Sequence, residues 1–496
     1  MRLVLSFAVA LSTAAATLTA AVPGALATPP PEMLRWKPCA KDPAVTAKAG
    51  PSPSLPKLEC ATLKVPLDYG DPRGRQIEVA VSRLASRKPA LRRGVLLTNP
   101  GGPGVSGLAY PSILAASGLP QEVRDRYDII GFDPRGIGRS TPVSCGLTQE
   151  QQDRGNLPAY THTPGDVVRE AQRAEQIAQR CAHSASAPLL PHIGTANTAR
   201  DMDRIRAALG ERRLSYIGTS YGTHLGAVYA SMFPGRGDRI VLDSSLGPRG
   251  YDVRAMRRFG PGMEERFEDF AKYAAAHPAY GLGRTPRQVR ATYFELAGRL
   301  EKEPVQGYDG IAFRALTFDR LYADANMQAL AETWQKFDTG TPLPEQPPYP
   351  GVEQIMSARF AVICGDTAWP RTVREYQRNV AVDRERYPLL GGSSANIGPC
   401  AYWPGAWVRK PVRVSDRGPS NVLMVQNERD PGTPLAGARK MRQALGGRAV
   451  MVTADQGGHG AYLFGGNTCA DSAVTTYLTT GKRPARDLAC AAEPAE

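Results

Sequence analysis

The chain is short of the residues that metal, redox and membrane chemistry require. No Cys-x-x-Cys or His-Glu-x-x-His spacing occurs in its 496 residues, so there is no recognisable ligand set for a zinc-type site. Histidine is scarce, with six in all, and any catalytic base must come from that short list. Beyond residue 27 no apolar run reads as a transmembrane span, so a stable membrane anchor is not expected. Internal repeats, long low-complexity segments and nucleic-acid-binding motifs are also missing. The net charge of +14 comes mostly from arginine, spread along the chain among interleaved acids, which argues against a nucleic-acid partner.

What is present describes an exported globular protein. Hydrophobic residues make up 42% of the chain, enough for a large core. Arg2 precedes an apolar stretch from Leu3 to Ala21, and Ala25-Leu26-Ala27 supplies a small-residue cleavage site, so residues 1–27 read as a signal peptide. Its Ala, Ser and Thr content argues against retention as an anchor. Eight cysteines in an exported chain imply disulfides, and they fall as neighbouring couples: Cys39 with Cys60, Cys145 with Cys181, Cys364 with Cys400, Cys469 with Cys490.

Strand and helix patterns alternate along much of the chain. Leu63, Val65 and Leu67, then Ile77, Val79 and Val81, alternate about the turn at 70–74 and predict a hairpin. Residues 94–98 and 127–132 have the continuous apolar character of strands covered on both faces. A helix over 197–209 leads into a strand at 214–217, and further strands are expected at 240–242, 421–425 and 449–452. This rhythm predicts an α/β fold with a mostly parallel, doubly wound sheet. Between Pro248 and about Val414 the rhythm stops. Helical stretches at 263–276, 286–300 and 325–337, joined by proline-rich loops, predict an inserted helical cap. The expected division is a core over 28–248, a cap over 249–414 and the rest of the core over 415–496.

Gly218-Thr219-Ser220-Tyr221-Gly222 carries the chemistry. It sits between a strand pattern and a helical one, where a nucleophile elbow exposes a serine and glycines relieve the crowding of a sharp turn. A serine hydroxyl needs a base to take its proton and a third group to orient that base. His459, in the loop after the last strand, fits the chain order of serine, acid, histidine used by α/β-hydrolases. His224 lies on the helix after the serine and reads as a packed residue. Asp430 follows the strand ending at Val425 and is the expected acid, with Glu428 and Asp455 as local rivals. Oxyanion donors are expected from the backbone of Tyr221 and Gly102, with Gly101 as the alternative in Asn99-Pro100-Gly101-Gly102-Pro103-Gly104. This chemistry calls for no cofactor and no metal.

With these segments in view, the chain resembles the secreted bacterial tripeptidyl aminopeptidases, α/β-hydrolase serine exopeptidases allied to proline iminopeptidases. The resemblance rests on 60–69, 99–104, 133–140, 218–226, 400–404, 430–434 and 458–460, and runs almost end to end. It implies Ser220 as nucleophile, Asp430 as acid and His459 as base, acting on peptides with a free N-terminus and releasing short peptides, tripeptides by family habit, outside the cell. An esterase or other small-acyl hydrolase would use the same triad. Two positions depart from the family pattern: His224, and Asp243-Ser244-Ser245, where glycine usually follows the aspartate. A free α-ammonium also calls for a carboxylate on the cap side. Glu264, Glu265, Glu268, Asp269 and Asp366 are available, and none is singled out.

Overall fold

The computed structural model describes residues 32–40, 56–153, 157–344, 350–493; the expected signal peptide lies outside the described residues. Ten strands form one sheet: β1 (Lys37–Pro38), β2 (Glu59–Pro66), β3 (Gln76–Leu84), β4 (Gly94–Asn99), β5 (Tyr127–Phe132), β6 (Leu214–Thr219), β7 (Gly237–Asp243), β8 (Val422–Arg429), β9 (Ala449–Gly457) and β10 (Leu488–Cys490), in the spatial order β1-β2-β3-β5-β4-β6-β7-β8-β9-β10. The hairpin β2–β3 pairs antiparallel, with Val65 opposite Ile77, and β3 also meets β5 antiparallel. From β5 through β10 every pairing is parallel. Residues of β4, β5 and β6 are buried throughout, which is why these segments read as continuous apolar runs rather than alternating ones.

The order places β6 in the middle of the parallel block. Ligand sites of such sheets form outside the carboxyl ends of the strands. The loops after β4, β6, β7, β8 and β9 therefore converge on one edge of the molecule.

Between β7 and β8 the chain leaves the sheet and builds helices. The longer ones are Phe259–Ala276, Pro286–Lys302, Gly310–Arg320, Met327–Thr339, Val352–Asp366 and Val373–Arg386. Trp334 is fully buried at their centre, ringed by Phe267, Phe270, Tyr293 and Phe313 with ring centroids 5.0–6.1 Å away. A segment from before the elbow joins them. The helix Pro164–His183, opened by a capping box between Thr163 and Asp166, packs Val167 and Ala171 against Tyr376, Val380, Ile397 and Ala401. The helical layer is thus assembled from two stretches of chain.

Four disulfides join Cys39 to Cys60, Cys145 to Cys181, Cys364 to Cys400 and Cys469 to Cys490, the neighbouring couples read from the sequence. Two of them brace the helical layer: one holds Pro164–His183 to its preceding loop, and the other ties Val352–Asp366 to the short turn at Pro399–Tyr402. No helix among the described residues is long and apolar enough to cross a membrane, and no cluster of metal-binding side chains occurs among them.

Candidate active site

Ser220 stands where β6 turns directly into the helix Tyr221–Met232, with φ of 59° and ψ of −124°. A non-glycine residue in that region is strained, and such strain persists only where the surroundings fix it. The flanking glycines explain how the turn is possible. A Cβ on Gly218 would lie 2.4 Å from the Gly222 carbonyl oxygen, and one on Gly222 would lie 2.8 Å from that of Asn99. Larger residues would force the strand and helix apart. The Ser220 N–H donates to the Asp243 carbonyl at 3.0 Å, which fastens the elbow to the end of β7.

Asp430 and His459 meet directly. His459 Nδ1 lies 3.0 Å from both carboxylate oxygens of Asp430. The carboxylate is fully buried and accepts from the Gly432 and Thr433 N–H groups and the Thr433 hydroxyl, each at 2.8 Å. Burial alone would raise the Asp430 carboxyl, but the neighbouring imidazole and these donors outweigh it and hold the group below the usual carboxylate range. For His459, burial favours the neutral ring, while the charge and hydrogen bond of Asp430, helped by Asp243, win and raise its basicity. His459 is also held from the helical side. Its N–H donates to the Tyr322 carbonyl at 2.7 Å, and the Tyr322 ring stands edge-on to the imidazole at 4.8 Å.

The rivals considered for these positions are otherwise engaged. Asp455 pairs with Arg429, and Glu428 lies within β8 itself. His224 is buried against Gly250, its Nδ1 has no hydrogen-bond partner among the described residues, and burial pushes it down to about 4, so it is neutral at ordinary pH. Among the loop glycines, Gly101 N–H donates to Asn99 Oδ1 at 3.0 Å. A Cβ on Gly101 would come within 2.5 Å of the Thr219 carbonyl oxygen and 2.8 Å of Ser220 Cβ, so this loop touches the elbow itself. The Gly102 carbonyl accepts from Arg359 Nη1 at 3.0 Å, which aims the Gly102 unit from the helix Val352–Asp366.

The acids named for amine recognition are mostly spoken for. Glu264 pairs with Arg290 and accepts the Leu389 N–H, Asp269 pairs with Arg266 and Arg429, and Asp366 accepts from Thr195 behind the elbow. Glu265 faces Arg439, while Glu268 is an exposed helix-face residue. One acid absent from that group behaves differently. Among the described residues Asp319 has no ion-pair partner within 4.0 Å; although its side chain reaches solvent, desolvation by the surrounding protein raises the carboxyl to about 6 against the influence of Arg320 and Arg359. It shares electrostatic neighbours with the site, since Tyr322 feels both Asp319 and Asp430. Sequence gave no means of separating Asp319 from the other helix-face acids, because its distinction is the lack of a partner. A cavity of about 620 Å³ elsewhere, between Pro164–His183 and Val352–Asp366, is lined by Met256, Met356, Phe360 and Trp369 but by none of Ser220, Asp430 or His459.

A mostly parallel sheet, a strained serine between strand and helix, and a buried aspartate on a histidine beyond the last long strand define an α/β-hydrolase. Comparison with known proteins narrows this class. Residues 387–490 match the family described as TAP-like protein. A tripeptidyl aminopeptidase of Streptomyces lividans is 35% identical over 92% of this chain and 86% of its own. The serine protease Hip1 of Mycobacterium tuberculosis is 29% identical over 92% and 91%, and a carboxylesterase B of the same species 31% identical over 87% and 86%. The chain belongs to the tripeptidyl aminopeptidase family of α/β-hydrolase serine peptidases.

Proposed function

We propose that the protein is a secreted serine aminopeptidase that releases short peptides, tripeptides in the first instance, from free N-termini through an acyl-enzyme on Ser220. The observation that carries this reading is the buried Asp430 carboxylate on His459 Nδ1, which fixes the tautomer whose Nε2 can accept a proton. Ser220 Oγ attacks the scissile carbonyl carbon as His459 Nε2 takes its proton. The oxyanion forms against the Tyr221 and Gly102 N–H groups; Gly101 is the weaker donor because its own N–H is committed to Asn99. Collapse breaks the C–N bond, and the leaving amine takes the proton back from His459. Water, activated by the same base, then hydrolyses the ester.

Free-amine selection falls to Asp319. A solvent-accessible carboxylate with a raised pKa and no ion-pair partner among the described residues gains most from a cation, and the substrate α-ammonium is the cation this chemistry presents. The helical layer between β7 and β8 acts as the cap that sets how many residues fit before the cleaved bond. Four disulfides support an extracellular setting.

A free-amine tripeptide anilide compared with its N-acetyl form tests the reading. The aminopeptidase loses the blocked substrate, and Asp319→Asn narrows the difference by raising KM for the free amine alone. Equal turnover of both forms, with simple esters preferred, would instead establish the esterase reading that the carboxylesterase relative raises.

A further inference from the structure

The segment Asp243-Ser244-Ser245, at the carboxyl end of β7, belongs to none of the roles above, yet it touches all three catalytic loops. The Asp243 carbonyl accepts the Ser220 N–H at 3.0 Å. Its carboxylate, 1% exposed, accepts the Ala461 N–H at 2.8 Å and the Tyr462 N–H at 3.2 Å, both in the loop that carries His459. Ser244 donates its hydroxyl to the same carboxylate at 3.0 Å and accepts the Gly460 N–H at 2.9 Å. Ser245 N–H donates at 2.7 Å to Gln426 Oε1, and Gln426 in turn donates to the Thr433 carbonyl beside Asp430 at 3.0 Å. Ser244 holds φ of 58°, a second non-glycine residue in the left-handed region. A glycine there would remove that strain but also the hydroxyl that holds Gly460.

We propose that Asp243 is a second, positioning acid of the active site. It fixes the distance between the Ser220 elbow and the His459 loop through one residue, and its buried charge supports the imidazolium that forms when His459 takes the serine proton. Neither effect requires contact with substrate. Asp430 orients the ring from Nδ1, and Asp243 holds the backbone on which the ring is carried. The groups facing Asp243 are the His459 ring, whose basicity it raises, and the Tyr110 and Tyr462 phenols, whose ionisation it opposes. Those facing His459 are Asp430, Asp243, Thr433 and the Tyr322 ring. Burial raises the Asp243 carboxyl to about 6, against the pull of the Ala461 and Tyr462 N–H groups, so the second charge is fully present only above that pH.

The proposal rests on the serine-hydrolase reading, and the two fail differently. Steady-state kinetics over pH 5–9 on Asp243→Asn and Ser244→Gly, with Ser220→Ala beside them, test it. Asp243→Asn lowers kcat by about 10-fold or more with KM nearly unchanged, less than the ~10⁴-fold loss expected on neutralising the orienting acid itself. It also moves the acid limb of kcat/KM to lower pH, because His459 loses a charge that raises its basicity. Ser244→Gly, which the local backbone accommodates, lowers kcat without moving that limb and carries the test if the Asn variant fails to accumulate. Unchanged kcat in Ser244→Gly overturns the proposal, as does an Asp243→Asn enzyme that loses thermal stability alone while kcat and pH profile stay as in the wild type. Wild-type activity in Ser220→Ala would overturn the underlying reading instead.

Discussion

At the scale of single residues, the carboxylates in and around the candidate site are kept in opposite conditions. Asp430 is held ionised by His459 and the Thr433 donors, while burial raises Asp243, Asp319 and Asp366 to about 6 each. The sign of each follows from linkage. Asp430 contributes stability above the ordinary carboxylate range and loses it as pH falls through its depressed value. A raised carboxyl does the reverse: its contribution is fully present below the ordinary range and is lost as pH rises through about 6. Asp319→Asn is therefore expected to melt higher than the wild type at pH 8, with the difference closing below about pH 4. Differential scanning calorimetry at the two pH values reads this, and the gain should accompany a higher KM for free-amine peptides. A lower melting temperature at pH 8 would mean that Asp319 is a structural acid. Asp430→Asn is expected to lower kcat by about 10⁴-fold with the fold intact, through loss of the useful tautomer, as single-turnover kinetics would show.

At the scale of elements, the helices between β7 and β8 reach the loops that carry Gly102, Asp430 and His459 through a few defined contacts. Arg429, one residue before Asp430, pairs with Asp269 on the helix Phe259–Ala276 and with Asp455 on β9. Arg359 holds the Gly102 carbonyl, and the Tyr322 carbonyl holds the His459 N–H. Half-exposed ion pairs of this kind contribute only about 0.2–1 kcal/mol to stability. Arg429→Ala should therefore cost little in melting temperature but raise KM several-fold, with the wild-type KM itself rising with salt; a titration with sodium chloride checks both. Gly101→Ala should be more damaging, since the added methyl meets the Thr219 carbonyl and Ser220 Cβ. Loss of an oxyanion donor costs about 10²- to 10³-fold in kcat, and a displaced loop should fall in that range.

These elements differ in how far the sequence revealed them. The elbow turn was legible because strand, glycine and helix signals coincide over 214–232, and the contact between Asp430 and His459 because each follows an apolar strand in the expected order of serine, acid, histidine. The surroundings of Asp319 and the contacts of Asp243, on which the proposed roles rest, were not legible. Nothing local separates a lone acid on a helix face from one without a partner, and the contacts of Asp243 span 23 residues to Ser220 and 218 to Ala461. The helix Pro164–His183 was likewise missed as part of the helical layer, because its amphipathic pattern does not say which neighbour covers it. The helix over 195–208 begins at Gly194 without a side-chain cap rather than at Asn197, whose amide instead donates to the His192 carbonyl.

At the scale of the molecule, a sheet with its catalytic loops on one edge is covered by helices drawn from two separate stretches of chain and tied by disulfides. Removing the Cys364–Cys400 bridge, whose partners are 36 residues apart, should cost about 3–4 kcal/mol, read as a lower denaturant midpoint for the tryptophan fluorescence to which the buried Trp334 contributes. On the proposed reading the whole assembly serves one event, the transfer of an acyl group to Ser220. Stopped-flow release of the chromophore from a free-amine tripeptide anilide measures it most directly. A burst stoichiometric with enzyme, followed by slower turnover, and the loss of both phases in Ser220→Ala, is the predicted result; wild-type turnover in Ser220→Ala would contradict it.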